Sequence, residues 1–314
     1  MTRGAGVPTE AGSCGVCEVP DGEPVGVGPD FEYRTSADEW LAWRCRRCGV
    51  IYLDPRPAPE AFPAIYPDRY HAFAFEADGF GIVHRARRVL EARRLAPVVA
   101  GLPAGARILD VGCGDGFHLA ILRRQGSPTW VLEGVDVDRR AVEAARRRGL
   151  EVHHGRLEDL TLPAGVYDLV LCIQTVEHVS EPAEVLGAIA ERLRPGGRVH
   201  LVTDNAGSPD ARLFRRRHWG GYHFPRHLHL FDAAAIEALA RRVGLAVRRV
   251  RTILSPVNWV YSLRNLAVDL GASDRVAAHL SLSAPVALAA GTVWDACWCA
   301  AGRGALLAAD LERP

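Results

Sequence analysis

Three groups of residues in this chain are of types and spacings that do chemistry. Cys14 and Cys17 form one C-x-x-C pair in SCGVCEV, and Cys45 and Cys48 form a second in RCRRCGV. Two such knuckles supply four thiolates, the tetrahedral sulfur set that a structural zinc ion prefers. Gly112, Gly114 and Gly116 follow a short apolar run in RILDVGCGDGF. Glycine is needed there if the backbone must turn sharply and approach a ligand with no Cβ in the way. His223, His227 and His229 crowd the stretch GGYHFPRHLHLF, with His218 just upstream. Imidazoles so placed could bind a metal, remove a proton near neutral pH, or pack.

The bulk composition narrows the setting. With 314 residues, 48% hydrophobic and 24% charged, the chain can build one large domain or two of unequal size. A formal net charge of +1 gives no global case for nucleic acid, and the runs Arg146–Arg148 and Arg215–Arg217 read as solvated faces. The N-terminus lacks the succession of a signal peptide, and no run of about eighteen apolar residues occurs. A cytoplasmic protein is expected, with its cysteines as thiols or ligands.

Three segments must position these groups. Residues 1–57 read as a zinc-binding module in which Phe31, Tyr33, Trp40 and Trp43 build a small strand-rich ribbon. So few residues bury too little for a core of their own, and the metal would supply the missing folding energy. The alternative is four free thiols; Cys113, Cys172, Cys297 and Cys299 sit in apolar runs and read as packing residues. Residues 58–100 form a connector, proline-rich at first and then helical over 82–100.

Residues 101–314 alternate apolar strands with helical segments, the pattern of a parallel sheet with ligands at the carboxyl ends of its strands. Asp136 ends the second of these strands, where a carboxylate can accept both hydroxyls of a ribose. A dehydrogenase shares that acid and the glycine loop. Asp110, two residues before the first glycine, fits a cofactor carrying an amino acid better than one carrying a pyrophosphate. LAVRRVRTI and GALLAADLERP read as the last two strands, separated by an apolar insertion over residues 255–302. That insertion could complete a pocket, pair with a second subunit, or lie on a membrane surface. The histidine-rich segment lies in residues 206–231, between the fifth strand and the next helix, and reads as a cap.

LDVGCGDG, GVDVD, VEHVSEP and the PGG before the fifth strand, in that order, resemble a class I S-adenosylmethionine-dependent methyltransferase. The resemblance implies a Rossmann-like α/β fold with a mostly parallel seven-stranded sheet, carrying here a small N-terminal zinc ribbon. It places Asp110, Gly112, Gly114 and Gly116 along the methionine part of the cofactor, Asp136 on the ribose, Leu157 and Glu158 at the adenine, and Gln174 alongside. The cysteine module, the tyrosines of YPDRY and the cap are similar to zinc-containing sugar C-methyltransferases, which use a histidine base in a Y-H-E-H-F segment. The second histidine of that segment falls on His227, with Tyr222 and His223 nearby, and Arg226 stands where the family has glutamate. VEHVSEP instead resembles ubiquinone-biosynthesis O-methyltransferases, some of which need a divalent metal.

The expected reaction is methyl transfer from S-adenosylmethionine to a hydroxyl or acidic carbon of a small molecule, a nucleotide-linked sugar or a specialised metabolite. His227, His223 and Tyr222 are the catalytic candidates. Tyr70, His178, Trp219 and Arg226 are the candidate substrate contacts, and Tyr66 a further residue closing over the site. A divalent ion held by Glu177, His178, His223 and His227 is a second chemistry open to the cluster. A zinc module docking a non-catalytic cofactor-binding domain, or an enzyme for a lipid-linked substrate, are the competing readings.

Overall fold

A computed structural model describes residues 6–67 and 81–314, with side chains from 84 onward in the second span. Tyr70 lies outside the described residues.

At its centre the main sheet grows from apolar runs covered on both faces, while its edge strands EVHH and AVRRVRTI are more polar and more exposed. Its strands are β6 (Arg107–Val111), β7 (Val131–Asp136), β8 (Glu151–His154), β9 (Tyr167–Ile173), β10 (Leu193–Asp204), β12 (Ala246–Ile253) and β13 (Leu306–Glu312). They lie in the order β12-β13-β10-β9-β6-β7-β8. All neighbours pair in parallel except β13, which is antiparallel to both β10 and β12. This is the expected mostly parallel seven-stranded sheet.

Alternation along each strand divides the core between two faces. Ile108, Leu169 and Leu171 pack with Leu95 of the helix Gly81–Val99 and Ile121 of the helix Phe117–Gln125. Leu109, Val170 and Cys172 join a cluster with Leu186 and Ile189 of the helix Pro182–Arg192 and Ile236 and Leu239 of the helix Ala233–Arg242. Each such side chain contributes about 1.5–3 kcal/mol by leaving water. Asp138 and Asp232 begin their helices by accepting backbone N–H bonds from Ala141 and Ala235. Asp232 also accepts Arg44 Nη2 at 3.1 Å, a tie to the N-terminal segment.

That segment does not stand apart. Its strands β2 (Gly22–Gly28), β3 (Trp40–Cys45) and β4 (Ile51–Leu53) form an antiparallel sheet that is completed by β11 (His229–Leu230) from the cap. The register sets His229 opposite Tyr52 and Leu230 opposite Ile51. Short β1 (Thr9–Glu10) pairs with β5 (Arg56–Pro57) beside it. One apolar cluster joins Trp40 and Leu53 of the module to Trp219, Tyr222, Phe224 and Leu228 of the cap. The module thus obtains its core by sharing the cap's.

The insertion folds as the helices Val257–Asp269, Asp274–Ala278 and Pro285–Ala300. Asp295, fully buried, accepts from Ser255 N, Trp259 Nε1 and Ala305 N and so docks the last helix. Val286, Val293 and Trp294 of that helix are exposed. Cys297, read from the sequence as a packing residue, is also exposed because its face of the helix turns outward. No described helix is long and apolar enough to cross a membrane.

Candidate functional site

The glycine loop opens directly from the end of β6, with Gly112, Gly114 and Gly116 all at positive φ. Their surroundings separate their roles. A Cβ on Gly112 would lie 2.2 Å from Thr175 Oγ1, and one on Gly116 would lie 2.2 Å from Leu150 Cδ1, so both allow close packing. A Cβ on Gly114 would meet nothing within 4 Å: this residue faces open space. Gly114 N donates to Asp136 Oδ2 at 2.7 Å, and Asp138 N donates to Oδ1 at 2.8 Å, which fixes the carboxylate at the end of β7. Beneath the loop, Asp110 is fully buried and its Oδ2 has no hydrogen-bond partner among the described residues. Burial and the nearby charge of Asp136 push the Asp110 carboxyl up to about 8.

The other cofactor candidates follow the ends of β8 and β9. Leu157 turns its side chain into the core while its carbonyl accepts Arg192 Nη2, and the Glu158 carboxylate accepts Arg156 Nη2. Gln174, at positive φ just after β9, donates its side-chain N–H to Glu177 Oε1 at 2.9 Å.

Glu177 and His178 occupy the turn after β9. The carbonyl of fully buried Glu177 accepts from Leu228 N and His229 N, which brings the cap down onto this turn. Burial and the charge of Asp204 push its carboxyl well above the usual range. His227 donates Nδ1–H to Gly221 O at 2.7 Å, and the same nitrogen is 3.5 Å from Asp204 Oδ2 at the end of β10. Its ring centroid is 4.5 Å from that of His178 and 5.0 Å from that of His223. His178 lies against the connector, with Nδ1 3.1 Å from the Tyr66 hydroxyl. Burial first, then the neighbouring His178 and His223, hold His227 well below the usual imidazole range, so its ring is neutral at pH 7.

Glu177, His178 and His227 each bring one potential ligand atom within 4.8 Å of the others, whereas His223 stands outside this trio and pairs with Glu32. The four-residue metal set left open by the sequence is therefore reduced to a trio among the described residues.

Three further expectations are corrected. Tyr222, a catalytic candidate, stacks on Phe224 in the apolar cluster and donates its hydroxyl to Arg215 O, with burial pushing its phenol above the ordinary range. Trp219, expected as a substrate wall, is buried and donates Nε1–H to Asp210 Oδ2. Arg226, expected to touch substrate, is wholly enclosed: Nη1 and Nη2 grip Asp30, and Nε donates to Ile65 O at 2.7 Å. These side chains assemble the cap.

The four cysteines converge as the spacing requires. One sulfur from each lies within 4.8 Å of the others, and Cys14 Sγ is 3.3 Å from Cys48 Sγ. Positive φ at Gly49 turns the second knuckle, and Cys17 N donates to Cys14 Sγ in the first. His229 joins this group to the site. Its Nδ1–H donates to Val179 O, and its Nε2 accepts from Gly15 N at 3.1 Å.

Glu32, Asp204 and Asn258, which donates to Asp204 Oδ1 at 2.7 Å, were not singled out by sequence reasoning. Asp204 carried a signal, since it ends an apolar strand at the edge where ligands bind. Glu32 carried none, because only the tertiary fold brings it to the cap.

Residues 82–250, more than half of the chain, match the family model of the methyltransferase domain. The chain belongs to the class I S-adenosylmethionine-dependent methyltransferases. This methyltransferase is 33% identical over 191 residues to a ubiquinone biosynthesis O-methyltransferase of Bordetella bronchiseptica, covering 56% of this chain and 78% of the relative. The corresponding enzyme of Bordetella avium is 32% identical over 179 residues, covering 52% and 73%. Among solved structures, an S-adenosylmethionine-dependent methyltransferase of Thermotoga maritima shares the fold with a TM-score of 0.50 and 20% identity, over 80% of this chain and 98% of that one. The methyltransferase's cysteine module lies outside the family match.

Proposed function

We propose that this methyltransferase places the methyl group on a hydroxyl or acidic carbon of a small molecule, a nucleotide-linked sugar or a specialised metabolite, and that His227 removes the acceptor's proton. The observation that carries this reading is a neutral, buried imidazole beside the Asp204 carboxylate, on the same edge of the sheet as the open glycine loop. S-adenosylmethionine supplies a methyl already activated on a positive sulfur, so the protein's work is alignment and proton removal.

The residues present fit that donor. The open space at Gly114 is a cradle that a Cβ would enter, and the orphaned Oδ2 of Asp110 is a buried acceptor suited to an amino group. Asp110, Gly112, Gly114 and Gly116 would hold the methionine part, Asp136 the ribose, the Leu157–Glu158 backbone the adenine, and Gln174 the flank. On the acceptor side, Nδ1–H of His227 is anchored on Gly221 O, which leaves the ring's basic lone pair on Nε2. Burial pushes the Asp204 carboxyl up to about 7, so it is only partly ionised at neutral pH, and its ionised form would stabilise the positive charge as the ring takes a proton. His178 and His223 line the same wall. The O-methyltransferase names of the sequence relatives favour a hydroxyl acceptor. The four cysteines, with one sulfur each converging, suit a structural zinc that holds the module's two knuckles.

The test has two parts. Calorimetry should show S-adenosylhomocysteine binding that Asp136→Ala weakens, and radiolabelled methyl transfer to a panel of hydroxylated and sugar-nucleotide acceptors should identify a product. Binding of a nicotinamide dinucleotide in place of S-adenosylhomocysteine would sink the assignment of these residues.

A further inference from the structure

Glu32 lies between the two cysteine pairs, far in sequence from the methyltransferase motifs, yet its side chain reaches the histidine wall. Glu32 Oε2 is 2.6 Å from His223 Nδ1, and the two side chains are only 14% and 8% exposed. His223 has φ 40°, a left-handed backbone that side chains other than glycine seldom adopt, so the cap is bent to present the ring at this point. Two residues before Glu32, Asp30 grips Arg226, the third residue after His223. One turn of the module thus delivers two carboxylates into the cap: Asp30 to a fixed cation, Glu32 to an imidazole.

The pairing constrains which nitrogen of His223 holds the proton. With Glu32 as the carboxylate, which only accepts, Nδ1 donates and the lone pair of the neutral ring lies on Nε2. Among the described residues the ring is faced by His227 at 5.0 Å, His178 at 6.3 Å and Tyr33 at 6.0 Å between centroids, with Tyr261 lining the same crevice. The crevice beside the pair holds about 10 Å³, room for one water rather than for an acceptor. Among the described residues Glu32 meets His223 directly and also bonds the Tyr261 side chain, and its contact with the histidine wall is made by His223.

We propose that Glu32 is a positioning residue for the methyltransferase reaction: it locks His223 in the Nδ1–H tautomer beside His227. The cysteine module thereby contributes to proton handling as well as to folding. This rests on the reading of the cap as the base-bearing wall.

The test is nitrogen-15 and proton NMR of histidine-labelled full-length protein saturated with S-adenosylhomocysteine, with His223 assigned by the signals lost in His223→Asn. Wild type should show His223 protonated on Nδ1, with that proton displaced downfield as in a short N–H to carboxylate bond. Glu32→Ala should move His223 to the Nε2–H tautomer. Glu32→Gln, whose amide oxygen still accepts, should keep Nδ1–H but lose the downfield displacement. Metal content and S-adenosylhomocysteine affinity should not change in either variant. An Nε2–H tautomer in wild type, or the same tautomer and proton shift in Glu32→Ala, overturns the proposal. If Glu32→Ala does not fold, an undiminished downfield proton in Glu32→Gln does so instead. Failure of wild type to bind S-adenosylhomocysteine would strike the donor assignment, while the tautomer measurement would still decide the role of Glu32.

Discussion

Arg226 and Asp30 form a two-pronged ion pair from which solvent is wholly excluded, with Nη2–Oδ2 at 2.8 Å and Nη1–Oδ1 at 3.2 Å. The guanidinium also lies 4.4 Å from the centre of the Tyr33 ring. Module and cap are thus held by a contact in which neither charge can return to water without the other. Removing one partner strands the other, so Arg226→Ala should lower the unfolding free energy by about 3–5 kcal/mol. Urea denaturation checks this; a change below about 0.5 kcal/mol would fall within ordinary surface-substitution effects and would contradict the pair's structural role.

The same pair should set the acid limb of stability. Burial raises the Asp30 carboxyl, but Arg226 and the backbone N–H groups of Thr35 and Tyr33 outweigh it and hold the carboxyl below its ordinary value. A group depressed in the folded state stabilises fully above its unfolded pKa, about 3.9 for Asp, and loses that contribution as pH falls toward the folded value. Stability should therefore decline below about pH 4, and Asp30→Asn should flatten that decline while lowering stability at neutral pH. Thermal melts across the acid range measure both slopes.

Metal removal should reach beyond the module. His229 bonds Gly15 of the first knuckle and Val179 of the turn after Glu177, and β11 is a strand of the module's own sheet. Purified protein should carry zinc, and stripping it with a chelator should lower the melting temperature. Hydrogen exchange should then show lost protection at His229 and Leu230, with β6 and β9 retained. Full protection of the cap in metal-free protein would separate the module from the site.

The glycine loop makes a paired prediction. Gly112→Ala meets Thr175 at 2.2 Å and a left-handed backbone, so it should destabilise the fold measurably. Gly114→Ala meets no neighbour and carries only the backbone cost of about 1–2 kcal/mol. Its Cβ instead enters the cradle, so S-adenosylhomocysteine affinity should fall more than stability does. Calorimetry beside thermal melts distinguishes the two; the reverse ranking would misplace the donor.

The sheet was legible because its central strands are apolar runs, the first of them followed by the glycine loop, and Asp136 sits where a strand of that kind must end. Local pattern also sufficed for the cysteine knuckles. It failed in the cap, where Tyr222, Trp219 and Arg226 have the residue types of a substrate wall but spend their polar atoms on Arg215 O, Asp210 and Asp30. Burial of a large aromatic or an arginine is decided by which distant surface meets it, and here that surface is the module's sheet. Glu32 was invisible for the same reason, since nothing in its own neighbourhood points to His223.

His227 itself gives the sharpest functional test. Its neutral ring has the form that accepts a proton, and Asp204 is placed to stabilise the cation formed. Loss of a positioned general base typically slows turnover by about 10²–10⁴-fold. His227→Ala should show that loss with S-adenosylhomocysteine affinity retained, because the ring is assigned to the acceptor side. Asp204→Asn should keep the geometry yet remove the charge that steadies protonated His227, so its loss should appear in kcat more than in KM and should grow as pH rises through about 7, where burial places the Asp204 carboxyl. The two losses should not add in the double variant, since both act on one proton transfer. Near-normal turnover in His227→Ala would move the base elsewhere, and additive losses would show that Asp204 acts apart from it.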